Sequence, residues 1–476
     1  MNDPDPITLT GVVVLAVHVI GAVHALDALM HVRSSRARVA WILSLATFPY
    51  LALPLYWLLG RNRLEGYVEA WRDSGQDHSD SRAALLEFLE AHRTDGCEPR
   101  ASLIQTATSL CEQPMTKGNA AELFIDGKDT FDAIFKAISE AEHELFVSYY
   151  VLKSDRVGRR FQNALIERAQ AGVKVRLLFD AIGSHELSSG AIERLRKGGV
   201  QVASFGSRRR WKRFQINFRN HRKLVIIDGK VGFTGGINVG DEYLGRSEEF
   251  GHWRDTHLRV MGPAVAGLKL AFYDDWNWAT DEFPEVGLLP EEHPAAVPCL
   301  VFPTGPADRL ASWQLFVMEA ASNARERLWI TSPYFVPDDG VLASLQAAAL
   351  RGVDVRILLP SKKDHLLVWL ACYTFIEQTV SYGVRLFRYT EGFLHQKSLL
   401  IDDDFGYVGS ANLDNRSLFL NFELGVIGCR RSEIQQLTSM LEEDFKNSRE
   451  VAADELSNRS WAFRAACNAA SLFAPI

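Results

Sequence analysis

The chain has 476 residues, 47% of them hydrophobic, and a formal net charge of −7. That length and apolar share can bury a large core, and the acidic balance argues against a general nucleic-acid binder. The six cysteines (Cys97, Cys111, Cys299, Cys372, Cys429 and Cys467) show neither metal nor redox spacing, so reduced core thiols are expected, with no metal or cofactor implied.

Ile7 to Leu26 contains only His18 and His24 as ionisable groups, and Val39 to Leu59 carries no charged residue. Each stretch is long enough to cross a hydrocarbon core as a helix. A basic hinge with Arg33, Arg36 and Arg38 separates them, and Trp41, Tyr50, Tyr56 and Trp57 suit interfacial depths. Residues 1–60 are therefore expected to form a transmembrane hairpin, helices about 7–26 and 39–59, with Pro49 and Pro54 kinking the second. A cleaved signal peptide is the competing reading. Asp3 and Asp5 at the start, and the lack of a small-residue cleavage site, argue against it. Arg61 and Arg63 are followed closely by Glu65 and Glu69, so charge does not decide which side the remainder occupies.

Residues 61–118 read as a polar linker with one amphipathic helix across Ser81 to His92. Beyond it the chain repeats itself, giving halves at 119–285 and 286–476. Glu144–Tyr150 echoes Arg327–Tyr334, Ala171–Leu178 echoes Arg351–Leu358, and Lys197–Val202 echoes Tyr382–Leu386. Each half predicts strand, helix, Gly-Val, strand, helix, Gly-Val, strand. That alternation implies a largely parallel sheet flanked by helices. Asp281 to Pro306, rich in Pro, Glu and Asp, is expected to connect the halves. The stretch Trp461-Ala462-Phe463-Arg464 fits equally a surface amphipathic helix and a helix packed on the second half.

The chemistry lies in a motif that occurs twice. His221, Lys223 and Asp228 are followed by Gly235-Gly236-Ile237-Asn238; His395, Lys397 and Asp402 are followed, at the same spacing, by Gly409-Ser410-Ala411-Asn412. Residues two apart on a strand share a face, so each His-Lys pair points one way. Histidine can attack phosphorus, and a second histidine can move protons near neutral pH. The lysines and the amides of Asn238 and Asn412 supply charge and donors for phosphate. Asp228 and Asp402 lie too far along the strand to orient the histidines and are expected to brace the following turn. Asp255 and Glu423, each about thirty residues beyond its histidine, are better candidates for orientation. Between Arg208 and Lys223 run Arg208, Arg209, Arg210, Lys212, Arg213, Arg219 and Arg222, with Trp211, Phe214 and Phe218 interleaved and no acid. This strip is expected to meet anionic lipid headgroups, with single-stranded nucleic acid as the alternative.

The paired motif resembles that of the phospholipase D superfamily. Together with Leu58–Arg63, Asn220–Lys223, Gly235–Tyr243, Ser332–Pro337 and Asn412–Ser417, the whole chain resembles bacterial cardiolipin synthases of the phospholipase D type. The resemblance implies two α/β/α halves about a pseudo-twofold axis behind a membrane hairpin, in the inner membrane. It implies His221, Lys223, Asp228, His395, Lys397 and Asp402 as the catalytic set, and an acidic partner at Asp255 and Glu423. The implied reaction joins two phosphatidylglycerols into cardiolipin and glycerol through a phosphatidyl-histidine, with His221 as nucleophile by analogy. Water as acceptor would make the chain a phospholipase D, and serine or ethanolamine another phosphatidyltransferase. A silent membrane scaffold would need a damaged motif, and neither copy is damaged.

Overall fold

The computed structural model describes residues 6–32, 35–60, 67, 76–206 and 217–473. Arg33, Arg61, Arg63, Glu65, Glu69, and Arg208–Phe214 of the basic strip lie outside the described residues.

The N-terminal helix runs unbroken over Pro6–His31, and among the described residues its Thr10–His31 segment alone is long and apolar enough to cross a membrane as one helix. The expected second span is divided into Ser35–Thr47 and Pro49–Leu59. The break has a local cause: Pro49 lacks an N–H and disfavours helical geometry at Phe48, whose φ is −138° and ψ 59°. Both pieces still pack back on the first helix. Ala28, Val32, Leu45, Ala52, Leu53 and Tyr56 form a buried cluster, the Tyr56 hydroxyl donates to Asp27 at 2.7 Å, and the Trp57 indole donates to His24 at 2.8 Å. Gly21 lies directly against the Leu45 carbonyl, where any side chain would collide. Arg38 donates twice to the Val32 carbonyl and so caps the end of the first helix.

Each repeat folds in the predicted order. Strands Glu144–Tyr149, Lys174–Asp180 and Gln201–Phe205 pair in parallel, joined by helices Arg156–Gln170 and Ser189–Lys197. Strands Arg327–Thr331, Asp354–Pro360 and Arg385–Tyr389 do the same, joined by Asp339–Leu350 and Leu366–Val380. Gly172 and its counterpart Gly352 have φ of 96° and 92°, the left-handed turn that ends a helix before a Val-led strand.

The sheet is less parallel than expected. The motif strands Leu224–Ile227 and Ser398–Ile401 run antiparallel to the first strand of their half and turn at once into hairpins. The turns open on Asp228 (φ 49°) and Asp402 (φ 48°), short polar residues that tolerate the left-handed region. Strand Val297–Thr304 then joins the two halves edge to edge. It pairs antiparallel with Thr116–Ile125 on one side and Asn421–Gly428 on the other, giving one continuous sheet. Residues 281–306 are thus more than a connector, because their last third is a central strand.

Other expectations also change. Part of the supposed linker, helix Ala101–Cys111, buries Leu103, Ile104 and Ala107 in the second-half core. Cys97 and Cys429 are joined as a disulfide with Cα atoms 5.9 Å apart, so those two are not reduced thiols, and Cys111 is only partly buried. The fold brings together cysteines that the sequence separates by 332 residues. Phe218, Arg222 and Lys223 of the basic strip are buried rather than lipid-facing, and Arg222 pairs with Asp275 at 2.9 Å. Trp461–Phe473 is a helix that packs on Leu366–Val380, with Phe463 against Trp369 and Tyr373.

The two motif aspartates sit at the end of the strand away from the histidines. Asp228 accepts the backbone N–H groups of Glu142, His143 and Glu144 at 2.8–2.9 Å. Asp402 accepts those of Glu326 and Arg327 and pairs with the buried Arg100. Burial alone would raise the Asp402 carboxyl, but these N–H groups and Arg100 outweigh it and hold it below its ordinary value. Its stabilising effect is therefore present above about pH 4 and lost as pH falls through the lowered value. Asp402→Ala is expected to cost about 2–4 kcal/mol, since it leaves the strand-entry N–H groups without an acceptor and Arg100 with Asp404 as its remaining carboxylate. Thermal unfolding of the purified chain measures this, and a change under about 0.5 kcal/mol would refute the bracing role.

Candidate active site

Two short parallel ladders carry each histidine into the other half. Arg219-Asn220 pairs with Asn421-Phe422, and Phe393-Leu394 pairs with Trp253-Arg254. The next N–H in each run completes the exchange: His221 donates to the Phe422 carbonyl at 2.9 Å and His395 to the Arg254 carbonyl at 2.8 Å. The carboxylates that follow those carbonyls then meet the rings. Nδ1 of His221 lies 2.8 Å from Glu423 Oε2, and Nδ1 of His395 lies 2.7 Å from Asp255 Oδ2. The pairing is therefore crossed, and neither histidine uses the acid of its own half, as their order along the chain would suggest. With Nδ1 engaged, Nε2 of each ring is left for chemistry.

The two dyads differ in support. Glu423 accepts the hydroxyls of Ser410 at 2.6 Å and Ser417 at 2.7 Å, and the Asn421 amide at 3.3 Å. At Asp255 the position of Ser410 is taken by Gly236, which has no room for a side chain against the carboxylate. Asp255 is left with the N–H of Thr256 at 2.8 Å beside its histidine. Burial raises Asp255 to about 6 although Lys397 opposes it. Burial would also raise Glu423, but His221, Lys223 and Ser410 reverse it and hold the carboxyl below its ordinary value.

Lys223 and Lys397 are fully buried, and each donates to the carbonyl of its own histidine. Desolvation lowers both; Lys397 falls to about 8 with Asp255 and Glu423 opposing, and Lys223 also goes down. Desolvation likewise pushes His221 down to about 4, against the pull of Glu423, and desolvation with the charges of Lys397 and Lys223 holds His395 well below its ordinary value. With both histidines neutral, the two lysines and two carboxylates of the cleft balance. A phosphodiester adds one negative charge beside the lysines and raises the histidines toward the range where they exchange protons.

Asn238 and Asn412 border the site but are partly engaged. Asn238 donates to the Tyr243 hydroxyl at 2.8 Å and accepts the N–H of Val151 at 3.1 Å, while Asn412 Nδ2 lies 3.4 Å from Asp414. Sequence reasoning missed the rings around the histidines. Tyr150 stands edge-on to His221 with centroids 4.9 Å apart, and Trp253 and Tyr243 stand 5.2 Å and 6.1 Å from His395. The repeat hints at them, since Tyr150 and Tyr334 fall at matching places. It also missed the carboxylates beneath the motif: Asp275 accepts from Asn220 and Arg222, and Asp444 from Gln396 and Arg254.

Two histidines, two lysines and two oriented carboxylates in one buried cleft have the chemistry of a phosphoryl- or phosphatidyl-transfer site. Comparison with known proteins narrows the class. The model of the "Cardiolipin synthase, PLD-like domain" family matches residues 134–258 and 317–447, and that of the "Phospholipase_D-nuclease N-terminal" family matches 12–61. "Cardiolipin synthase A" of Pseudomonas putida is 42% identical over 97% of this chain and 96% of its own. The protein of that name from Pseudomonas syringae pv. syringae is also 42% identical, over 98% of both chains. Among solved structures, a phosphatidylserine synthase of Haemophilus influenzae shares the fold, with a TM-score of 0.58, 15% identity, 79% of this chain covered and 100% of that one. The chain belongs to the phospholipase D-type cardiolipin synthase family.

The crossed dyads and the lysines set a pH expectation. Asp255 must be ionised and Lys397 protonated, so kcat/KM should rise through about pH 6 and fall through about pH 8. Asp255→Asn and Glu423→Gln should each lower kcat by about 10³–10⁴-fold, as removal of an orienting carboxylate does elsewhere. A flat pH profile, or a loss under tenfold in either variant, would contradict the assignment.

Proposed function

We propose that the chain condenses two phosphatidylglycerols into cardiolipin and glycerol through a phosphatidyl-histidine. The observation that carries this reading is the pair of crossed dyads, with one reactive Nε2 from each half. Nε2 of His221 attacks the phosphorus of the first lipid and forms a P–N bond while the P–O bond to the headgroup glycerol breaks. The departing alkoxide takes its proton from Nε2 of His395. After glycerol leaves, the terminal hydroxyl of a second phosphatidylglycerol returns a proton to His395 and attacks phosphorus. The P–N bond breaks, and both histidines are restored.

The support for His221 as nucleophile is the firmer anchoring of its partner. A carboxylate kept ionised by His221, Lys223 and the Ser410 hydroxyl, and accepting from Ser417 as well, stabilises the positive charge that a phosphorylated imidazole carries. Asp255, with fewer donors, suits a histidine that cycles between charge states. Lys223 and Lys397 compensate the equatorial oxygens, with Asn238 and Asn412 at the border. The burial of both histidines supports transfer over hydrolysis, because the intermediate is shielded from water.

Incubating the reconstituted chain with labelled phosphatidylglycerol and resolving the products tests the reaction. Cardiolipin with one equivalent of glycerol is expected; phosphatidic acid would instead mark a phospholipase D. Quenching in denaturant at neutral or mildly alkaline pH, where a P–N bond survives, followed by peptide mapping should find the covalent phosphatidyl label on His221, and label on His395 would reverse the assignment.

The family and the apolar N-terminal helix place the chain at a membrane. We further propose the inner membrane, crossed twice. At about 1.5 Å per residue, Ser35–Leu59 is long enough to return across it despite the break at Phe48. A reporter enzyme fused after Arg38 and one fused at the C-terminus should then read opposite sides; matching sides would mean a single crossing.

A further inference from the structure

Outside the N-terminal helices, nine large apolar side chains are exposed among the described residues, and Leu366, Leu367, Trp461 and Leu472 of these lie on the paired helices Leu366–Val380 and Trp461–Phe473. Three gather at one end. Leu366 and Leu367, 55% and 47% exposed, open the first helix. Phe463 packs on Trp369 and Tyr373, which sets Trp461, 81% exposed, beside the same end. Neither burial nor a local cap explains them, and helix starts in water ordinarily favour small polar residues.

That end borders the cleft. Leu366 follows the loop Ser361–His365, in which Asp364 accepts the hydroxyl of Tyr334 and Lys362 reaches across to the carbonyl of Phe250 at 2.9 Å. Phe250 in turn packs against Trp253 and Phe393, the rings against His395. Around the apolar side chains stand Lys363, Arg459 and Arg464, all exposed and without an ion-pair partner among the described residues. On the first half, the matching loop exposes Ile182 (45%) beside Ser184, whose hydroxyl donates to the Tyr150 carbonyl next to His221.

The membrane is within reach. Tyr67 is fixed to the catalytic body: its hydroxyl donates to Asp275 at 2.9 Å and its ring packs on Trp278 and Phe422. The chain from Gly60, the end of the membrane helices, to Tyr67 can extend at most about 25 Å. Phe422 is the residue whose carbonyl receives the His221 N–H. The anchor therefore joins the body beside the cleft and cannot hold it far from the bilayer.

We infer that Leu366, Leu367 and Trp461, fringed by Lys363, Arg459 and Arg464, form a rim that dips into an anionic lipid surface and seats the cleft on it. Apolar side chains enter the acyl boundary while the cations meet headgroup phosphates. The rim gives the anchored body one orientation, in which a lipid headgroup enters the cleft without leaving the bilayer. This rests on the lipid-transfer reading above.

The test uses the full chain reconstituted in phosphatidylglycerol liposomes and a triple variant, Leu366→Ser, Leu367→Ser and Trp461→Ser. Turnover of bilayer lipid should fall about 10-fold or more, whereas turnover of a water-soluble short-chain phosphatidylglycerol should be unchanged. Equal rates in liposomes, or equal losses on both substrates, would overturn the rim. A second readout is independent of turnover. The emission lost in Trp461→Phe, taken as a difference from wild type, should be blue-shifted and quenched by brominated phosphatidylglycerol; an unquenched, water-like difference would also overturn it. Failure of the lipid-transfer reading would show separately, as missing cardiolipin from the wild-type chain.

Discussion

The chemistry proposed for this molecule hangs on two backbone exchanges, the Phe422 carbonyl receiving the His221 N–H and the Arg254 carbonyl receiving that of His395. A histidine side chain has two soft torsions, and a useful nucleophile cannot leave them free. Here the backbone leading into each ring is pinned to the opposite half, and the carboxylate one residue further on takes Nδ1. The two halves are thus held in register by the same contacts that orient the catalytic groups. Sliding one half would break the ladders and the dyads together.

Charge is organised around the same seam. Two lysines and two carboxylates are buried within it, and the arrangement is tolerable because the signs balance. A phosphodiester tips that balance toward negative charge and so raises the proton affinity of the histidines. In the proposed reaction, substrate entry is then what prepares the acid. Pairs of buried ions deeper down, Arg222 with Asp275 and Arg254 with Asp444, tie the residues flanking each motif to helices Ala264–Thr280 and Arg431–Lys446. They set the position of the strands without entering the cleft.

Much of this was legible in the residues. Periodicity, the Gly-Val steps and the doubled motif predict the strand and helix order of each half, because those signals are local. The carboxylates Asp255 and Glu423 are visible as candidates for the same reason. Their partners are not, since the exchange between halves depends on how two surfaces meet and leaves no mark in spacing. Val297–Thr304 hid within an acidic, Pro-rich stretch, where composition outweighed a short apolar run. Arg222 read as part of a basic surface because its partner Asp275 lies on a distant helix. The disulfide between Cys97 and Cys429 was unreadable for the same reason.

The crossed pairing also bears on how the molecule comes into being. Glu423 lies 202 residues beyond His221, close to the C-terminal end of the chain. During synthesis the N-terminal helices are made first and the first motif soon after, yet His221 has no oriented proton and no fixed ring until strand Asn421–Gly428 has been translated and paired. A partly made chain at the membrane therefore holds a complete first motif that is chemically idle. In the proposed reaction, reactivity toward the bilayer arrives late and all at once, with the last central strand.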